Sequence, residues 1–181
     1  MKLRKILSEI LTESNINDNF KRWFGSSKVK TGNSPKIVYH GSANADIQAF
    51  SNEKIGSATD SGMFGRGFYF TDDEKYASTY ANRGGNIGKI YAVYLSIKNP
   101  LIIVDRSNIP KINVPNETLD DLRNGHKKYS ELFTKWLEDN NYDGVFDYMS
   151  NQHQYVALYP EQIKSVDNNG EWSLNTNDIT K

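Results

Sequence analysis

The apolar positions at the start of the chain recur at helical spacing. Leu3, Ile6, Leu7, Ile10 and Leu11 predict an amphipathic helix over residues 2–13. Two readings of its stripe stand, packing on the main domain and docking to a partner. Asn17 or Asp18 can cap a second short helix that carries Phe20, Trp23 and Phe24 and ends at Gly25. Residues 25–36 hold Gly25, Ser26, Ser27, Gly32, Asn33, Ser34 and Pro35, the chemistry of a hairpin or loop. Residues 36–40 then read as a strand that Gly41-Ser42 ends. Ile47 and Phe50 are the apolar points of a mixed stretch, and Gly56 to Gly62 reads as a mobile loop.

From residue 68 the pattern sharpens. Phe68-Tyr69-Phe70-Thr71 is a short aromatic strand, and Asp72-Asp73-Glu74 starts a helix that runs to Ala81 and sets Tyr76 and Tyr80 on one face. Residues 89–97 alternate, with Ile90, Ala92 and Tyr94 against Tyr91, Val93 and Leu95, and predict a long strand buried on both faces. Leu101–Val104 is another strand. Pro110 and Pro115 mark residues 105–128 as a surface excursion with a short helix near Leu119–Leu122. Leu132, Phe133, Trp136 and Leu137 place a helix over 129–138. Strands follow at 143–148, 154–159 and 163–166, and the Asn- and Thr-rich tail after Asp167 reads as weakly ordered apart from Trp172. Many short strands with few helices between them predict an α+β fold built of mainly antiparallel sheets.

Composition narrows the function classes. The 22 Lys and Arg balance the 22 Asp and Glu, so the chain as a whole lacks the basic excess of a duplex nucleic-acid binder. There is no cysteine, and the three histidines (His40, His126, His153) are far apart, so neither a disulfide frame nor a metal site is expected. No apolar run reaches membrane-spanning length, and Ser8 and Glu9 interrupt the first apolar segment, which makes it a poor signal peptide. An intracellular protein is expected.

Four features carry candidate chemistry: His40 at a strand end, the turn Gly65-Arg66-Gly67, the pair Tyr69 and Tyr80, and Gln154 at a strand start. Each has a plain structural reading. His40 can be a capped strand end, and the two tyrosines can be core residues. The Gly-x-Gly turn precedes a strand rather than a helix and lacks the later glycine of the dinucleotide fingerprint, so a Rossmann site is excluded.

Together, in order and spacing, these stretches resemble a known family. Tyr39-His40-Gly41-Ser42, then Met63-Phe64-Gly65-Arg66-Gly67-Phe68-Tyr69-Phe70-Thr71-Asp72, then Tyr80, then Gln154-Tyr155-Val156-Ala157-Leu158-Tyr159, are similar to the motifs of ADP-ribosyltransferases of the diphtheria-toxin and poly(ADP-ribose) polymerase type. The chain is also similar to small transferase domains encoded by bacteriophages, including the lead-in Phe20-Lys21-Arg22-Trp23-Phe24-Gly25. The resemblance implies an ADP-ribosyltransferase-like fold of two packed, mainly antiparallel sheets with flanking helices. The resemblance covers about residues 36–166, and with the reading of both ends it divides the chain into a helical extension (1–25), a catalytic domain (26–168) and a weakly ordered tail (169–181). It implies NAD as substrate and no metal.

The resemblance also implies roles. His40 bonds the adenosine ribose hydroxyl, and Gly41 holds the nicotinamide carboxamide. Tyr80 stacks on the nicotinamide ring, and Tyr69 closes the other side of the pocket. His40, Tyr69 and Gln154 stand for the family's catalytic triad. Ser42, Gly67 and Phe70 belong to the binding motifs. Arg66 is assigned by its chemistry rather than by the resemblance, since a guanidinium matches pyrophosphate geometry.

Two residues depart from the pattern. Gln154 stands where the polymerases and toxins have Glu, and Ala77 where the polymerases have Ser. A carboxamide can hydrogen-bond a ribose hydroxyl but cannot act as a base. The expected activity is therefore mono-ADP-ribosylation of a protein or nucleic-acid acceptor, single-stranded or structured, by a phage or bacterial effector in the cytoplasm. An inactive NAD- or ADP-ribose-binding module, or a docking domain, is the alternative. Asp147 and Glu161 are the candidates for a carboxylate supplied from elsewhere, with Asp147 favoured because it ends the strand beside Gln154.

Overall fold

The computed structural model describes residues 18–44, 46–56, 62–85, 88–114 and 127–181. The helix expected at 2–13, the interior of the Gly56–Gly62 loop and the short helix expected near Leu119–Leu122 lie outside the described residues.

Residues 18–24 are helical (α1). Gly25 closes the helix at a φ of +52°, its N–H donating to the Lys21 carbonyl at 2.9 Å. The aromatic stripe of α1 packs inward. Trp23 is 1% exposed, and Phe20 meets Trp172 edge-on at 4.7 Å and Tyr94 at 5.2 Å. The hairpin β1 (Lys30–Thr31) and β2 (Ser34–Pro35) follows.

The remaining strands are β3 (Val38–Ser42), β4 (Phe68–Thr71), β5 (Lys89–Leu95), β6 (Pro100–Ile103), β7 (Gly144–Asp147), β8 (Gln154–Ala157) and β9 (Ile163–Ser165). Two helices accompany them, α2 (Glu74–Ala81) and α3 (Lys127–Asp139). Asp73 caps α2, its carboxylate accepting from the Tyr76 N–H at 3.1 Å. The fold is mixed, with a mainly antiparallel sheet.

The expected pair of packed sheets is corrected. Besides the hairpin, the strands form one seven-stranded sheet in the order β6-β7-β8-β4-β3-β5-β9, in which only β6 and β7 run parallel. The sheet nearly divides in the middle. β3 meets β5 through five registered pairs and β4 meets β8 through four, but β3 and β4 share only Tyr39↔Thr71.

The pleat sorts the core onto two faces. Phe68, Phe70, Phe146, Tyr155 and Ala157 join one buried cluster with Val38, Val93 and Leu95. Val145 and Val156 point the other way, to Phe64, Leu158 and the α3 residues Phe133 and Leu137. β5 is buried on one face only. Tyr91, Val93 and Leu95 are buried, while Ile90, Ala92 and Tyr94 are half-buried. The covering on that second face is partial, and at Tyr94 it consists of the rings of Phe20 and Trp172.

The tail is also corrected. Ser165 donates to the Ile179 carbonyl at 2.8 Å, and Ile179 donates to Gln48 at 2.9 Å. Lys164, fully buried, sends its ammonium to the carbonyls of Thr176 at 2.9 Å and Asp178 at 2.7 Å. A buried ammonium needs such partners, and the polar tail supplies them as backbone oxygens.

Candidate functional site

Where β3 and β4 part beyond their single pair, a cleft opens. β3 lines it with Tyr39, His40 and Gly41, β4 with Tyr69, Phe70 and Thr71, α2 with Tyr76, Ala77 and Tyr80, and β8 with Gln154. Motifs scattered over more than a hundred positions of sequence thus meet in one place.

His40 bridges the parting strands. Its Nδ1 lies 2.8 Å from the Tyr69 carbonyl oxygen. A carbonyl only accepts, so Nδ1 carries the proton and Nε2 of the neutral ring is an acceptor. The ring packs against Phe50 at 5.1 Å and Phe70 at 5.5 Å. Burial lowers the imidazole pKa below its ordinary 6.5, and the bond to Tyr69 opposes that only in part. A neutral His40 that lines the cleft and keeps one ring nitrogen able to accept suits a hydroxyl-bearing ligand.

Gly41 is needed for close approach. A Cβ there would lie 1.8 Å from the Ala77 carbonyl oxygen and 2.9 Å from the Ala81 nitrogen, so α2 rests directly on the β3 backbone. That contact also explains why Ala77 is buried. One turn further along, Tyr80 is 37% exposed, with the Arg83 guanidinium 5.1 Å from its ring centroid. The hydroxyls of Tyr76 and Tyr80 lie 3.0 Å apart. Tyr76 was visible in the sequence only through its same-face spacing. Tyr39 and Thr71 stood inside the recognised motifs without an assigned role, and their place in the cleft follows from strand pairing.

Tyr69 lines the cleft, but its hydroxyl is used elsewhere. It accepts from Phe64 N–H at 3.0 Å and donates to the Gly65 carbonyl at 2.8 Å, pinning the glycine turn. The turn is fastened to α3 as well. Arg66 N–H donates to Thr134 Oγ1 at 2.6 Å, Ser130 Oγ donates to the Gly62 carbonyl, and Arg66 Nη1 pairs with Glu131 at 3.1 Å. Arg66 is thus turned to α3 and does not line the cleft. Neither does Gly67, where a Cβ would meet Val156 Cγ1 at 2.6 Å and the Ala157 carbonyl at 2.8 Å, so its role is the close approach of the chain entering β4 to β8. Ser42 extends β3 opposite Lys89, and its hydroxyl accepts from Asn44 N–H at 3.0 Å. These three residues are set apart from His40, Gly41, Tyr69, Phe70, Tyr80 and Gln154.

Gln154 pairs with Thr71 on one side and Asp147 on the other. Asp147 is 4% exposed, and its Oδ1 accepts from Met149 N–H at 2.9 Å, which commits it to the turn after β7. Glu161 sits on the 3-10 turn Pro160–Gln162, beyond the far end of β8, and also stands outside the cleft. Among the described residues, none that lines the cleft is a carboxylate.

Residues 30–173 match the family model described as ADP-ribosyltransferase in polyvalent proteins. The chain belongs to this ADP-ribosyltransferase family. A search of curated proteins finds no match to it. The matched span contains every strand of the transferase sheet and every cleft residue, while α1 lies ahead of it. Among the described residues of the transferase, no group of three or more His, Asp or Glu side chains is arranged to hold a metal ion. No described helix is long and apolar enough to cross a membrane.

The His40 environment sets a pH dependence. The unfolded chain takes up a proton near the ordinary 6.5, and the folded chain does so only at a lower pH. The stability that neutral His40 contributes is therefore complete above that value and is lost as pH falls through the folded pKa. Melting curves of the transferase should show the midpoint dropping as pH is lowered from about 7 to 5. A His40→Gln variant should lose less over the same range; equal slopes would place the titrating group elsewhere.

Proposed function

We propose that the protein cleaves the nicotinamide–ribose bond of NAD and transfers one ADP-ribose to a macromolecular acceptor, a protein or a single-stranded or structured nucleic acid. The observation that carries this reading is His40, anchored through Nδ1 to the Tyr69 carbonyl and lining one cleft with Tyr80 and Gln154. In this reading Nε2 accepts from the adenosine ribose hydroxyl, and the aromatic pair Tyr76 and Tyr80 supplies the flat surface for nicotinamide. Gly41 holds the carboxamide through its backbone, while Tyr69 and Phe70 close the pocket behind the ring.

The chemistry follows from these positions. As the C1′–N bond breaks, its electron pair leaves with nicotinamide and the ribose takes on oxocarbenium character. The cleft fixes the leaving group and excludes water. The Gln154 carbonyl offers a hydrogen bond and partial negative charge at the ribose. The acceptor nucleophile then bonds to C1′ and gives its proton to water. Without a base at 154, elongation of a chain on ADP-ribose is disfavoured, which supports a single transfer. The cytoplasm of a bacterial or phage-infected cell, where NAD is available, is the setting this reading assigns, in keeping with an effector role.

The missing carboxylate supports a second reading, a module that binds NAD or ADP-ribose without turnover. Labelled NAD, incubated with the protein and a cell lysate, separates the two. Transfer of label with release of nicotinamide supports the transferase; binding without either supports the module. Gln154→Glu is the informative substitution. Restoring full charge at the reacting ribose should raise NAD hydrolysis by roughly 10- to 100-fold. An unchanged rate would remove residue 154 from the reaction.

A further inference from the structure

The single pair Tyr39↔Thr71 is a weak joint for the middle of a sheet. It divides the site as well. His40, Gly41 and the α2 tyrosines belong to the β3 half, while Tyr69 and Gln154 belong to the β4–β8 half. On one side of the joint lies the cleft, spanned by the bond from His40 to Tyr69. On the other side a polar cluster spans the same joint. Lys36, just ahead of β3, sends its ammonium to Asp72 Oδ2 at 2.5 Å and to the Tyr155 hydroxyl at 2.9 Å. The same Asp72 oxygen lies 3.2 Å from His153 Nδ1 and accepts from the Tyr155 hydroxyl at 3.4 Å.

The positions are specific. Asp72 directly follows Thr71, the residue paired with Gln154, and His153 and Tyr155 flank Gln154 on β8. One carboxylate oxygen therefore gathers the entry of β3, the end of β4 and the start of β8. We propose that Asp72, with Lys36, is a positioning clamp that fixes the two halves of the sheet against each other and so sets the distance from His40 to Gln154. The functional half of this statement rests on the transferase reading above.

The electrostatics suit a clamp. The Lys36 and Asp72 side chains are 24% and 19% exposed, so their pairing is partly shielded from solvent. Burial by itself would raise the Asp72 carboxyl, but the bond and charge of Lys36, then His153, outweigh it and hold the group below the ordinary 3.8. The other titratable neighbours do not compete. Burial first, then contacts within the cluster, pushes the Tyr148 and Tyr155 phenols up to about 12, so both are neutral at physiological pH. Tyr148 packs edge-on over the His153 ring at 4.8 Å.

Asp72→Asn and Lys36→Met test the clamp, with circular dichroism to confirm folding. The first readout needs no NAD. Nitrogen NMR of the His40 ring should show the Nδ1–H signal of wild type weakened or shifted in both variants, because the bond to Tyr69 crosses the loosened joint. The second is steady-state NAD cleavage. Because His40, Gly41 and Tyr80 stay together on one half and, of the binding residues, only Tyr69 and Phe70 lie on the other, KM should change less than kcat. The displacement of Gln154 should lower kcat by about 10- to 100-fold. The double variant should be no worse than either single one, since both break the same interaction. Folded variants with an unchanged His40 signal and unchanged kcat, altered only in melting temperature, would reduce the cluster to an ordinary stabilising pair and overturn the proposal. A wild-type protein inert toward NAD would instead overturn the transferase reading, and the His40 signal alone would then decide the clamp.

Discussion

Replacing His40 by alanine should lower kcat/KM for NAD by roughly 10- to 100-fold and also reduce stability. Two losses combine. The ribose hydroxyl loses its acceptor at Nε2. The Tyr69 carbonyl loses the donor that lies 2.8 Å away, at a place where β3 supplies no ladder bond to replace it. Losing one partner of a part-buried hydrogen bond of this kind costs about 1–3 kcal/mol. For a chain of this size that lowers the melting temperature by roughly 2–12 °C. Calorimetry and an NAD cleavage assay on the same preparation measure both. Full activity in a folded His40→Ala protein would contradict the site.

Gly41→Ala should separate binding from folding in the other direction. The added methyl would meet Ala77 O at 1.8 Å, Ala77 C at 2.8 Å and Ala81 N at 2.9 Å, all of them helix backbone. No rotamer change relieves such a contact, so α2 must lift from β3. Overpacking costs about 1–3 kcal/mol, sometimes more. The larger consequence falls on the site, because α2 carries Tyr76 and Tyr80 into the cleft. NAD affinity, read by titration calorimetry, should fall below detection while the seven-stranded sheet persists. Gly32→Ala is the control. Its Cβ would meet nothing within 4 Å, so only the left-handed φ of +60° is penalised, at about 1–2 kcal/mol, and NAD affinity should hold. Equal loss of affinity in both variants would make the Gly41 effect one of general instability.

Much of the cleft was legible because its parts are local. The aromatic run Phe68-Tyr69-Phe70, the acidic helix start Asp72-Asp73-Glu74 and the spacing of Tyr76 and Tyr80 are each written within a few residues, whereas the close approach of Gly41 to α2 is not. The motif order was enough to suggest the family, and the match over residues 30–173 agrees with it. Arg66 shows the limit of such reading. Its charge suits a phosphate, but which way it turns is set by Glu131, sixty-five positions away. The tail shows it again, for its Asn-rich composition predicts disorder, yet its backbone oxygens are what the buried Lys164 ammonium requires. The single sheet in place of two, and the commitment of Asp147 to Met149, were equally out of reach.

By itself the sequence indicated most of the described strands and helices, because periodicity and capping are short-range properties of the chain, and its motif order marked His40, Tyr69, Tyr80 and Gln154 as candidates for one site. Only the tertiary structure decided that β3 and β4 touch at one pair, that a cleft opens beyond it, and that Lys36 and Asp72 close the joint from behind. Those facts depend on strand register and on side chains meeting across long loops, and register is settled by the packing of the whole core rather than by any one stretch of residues.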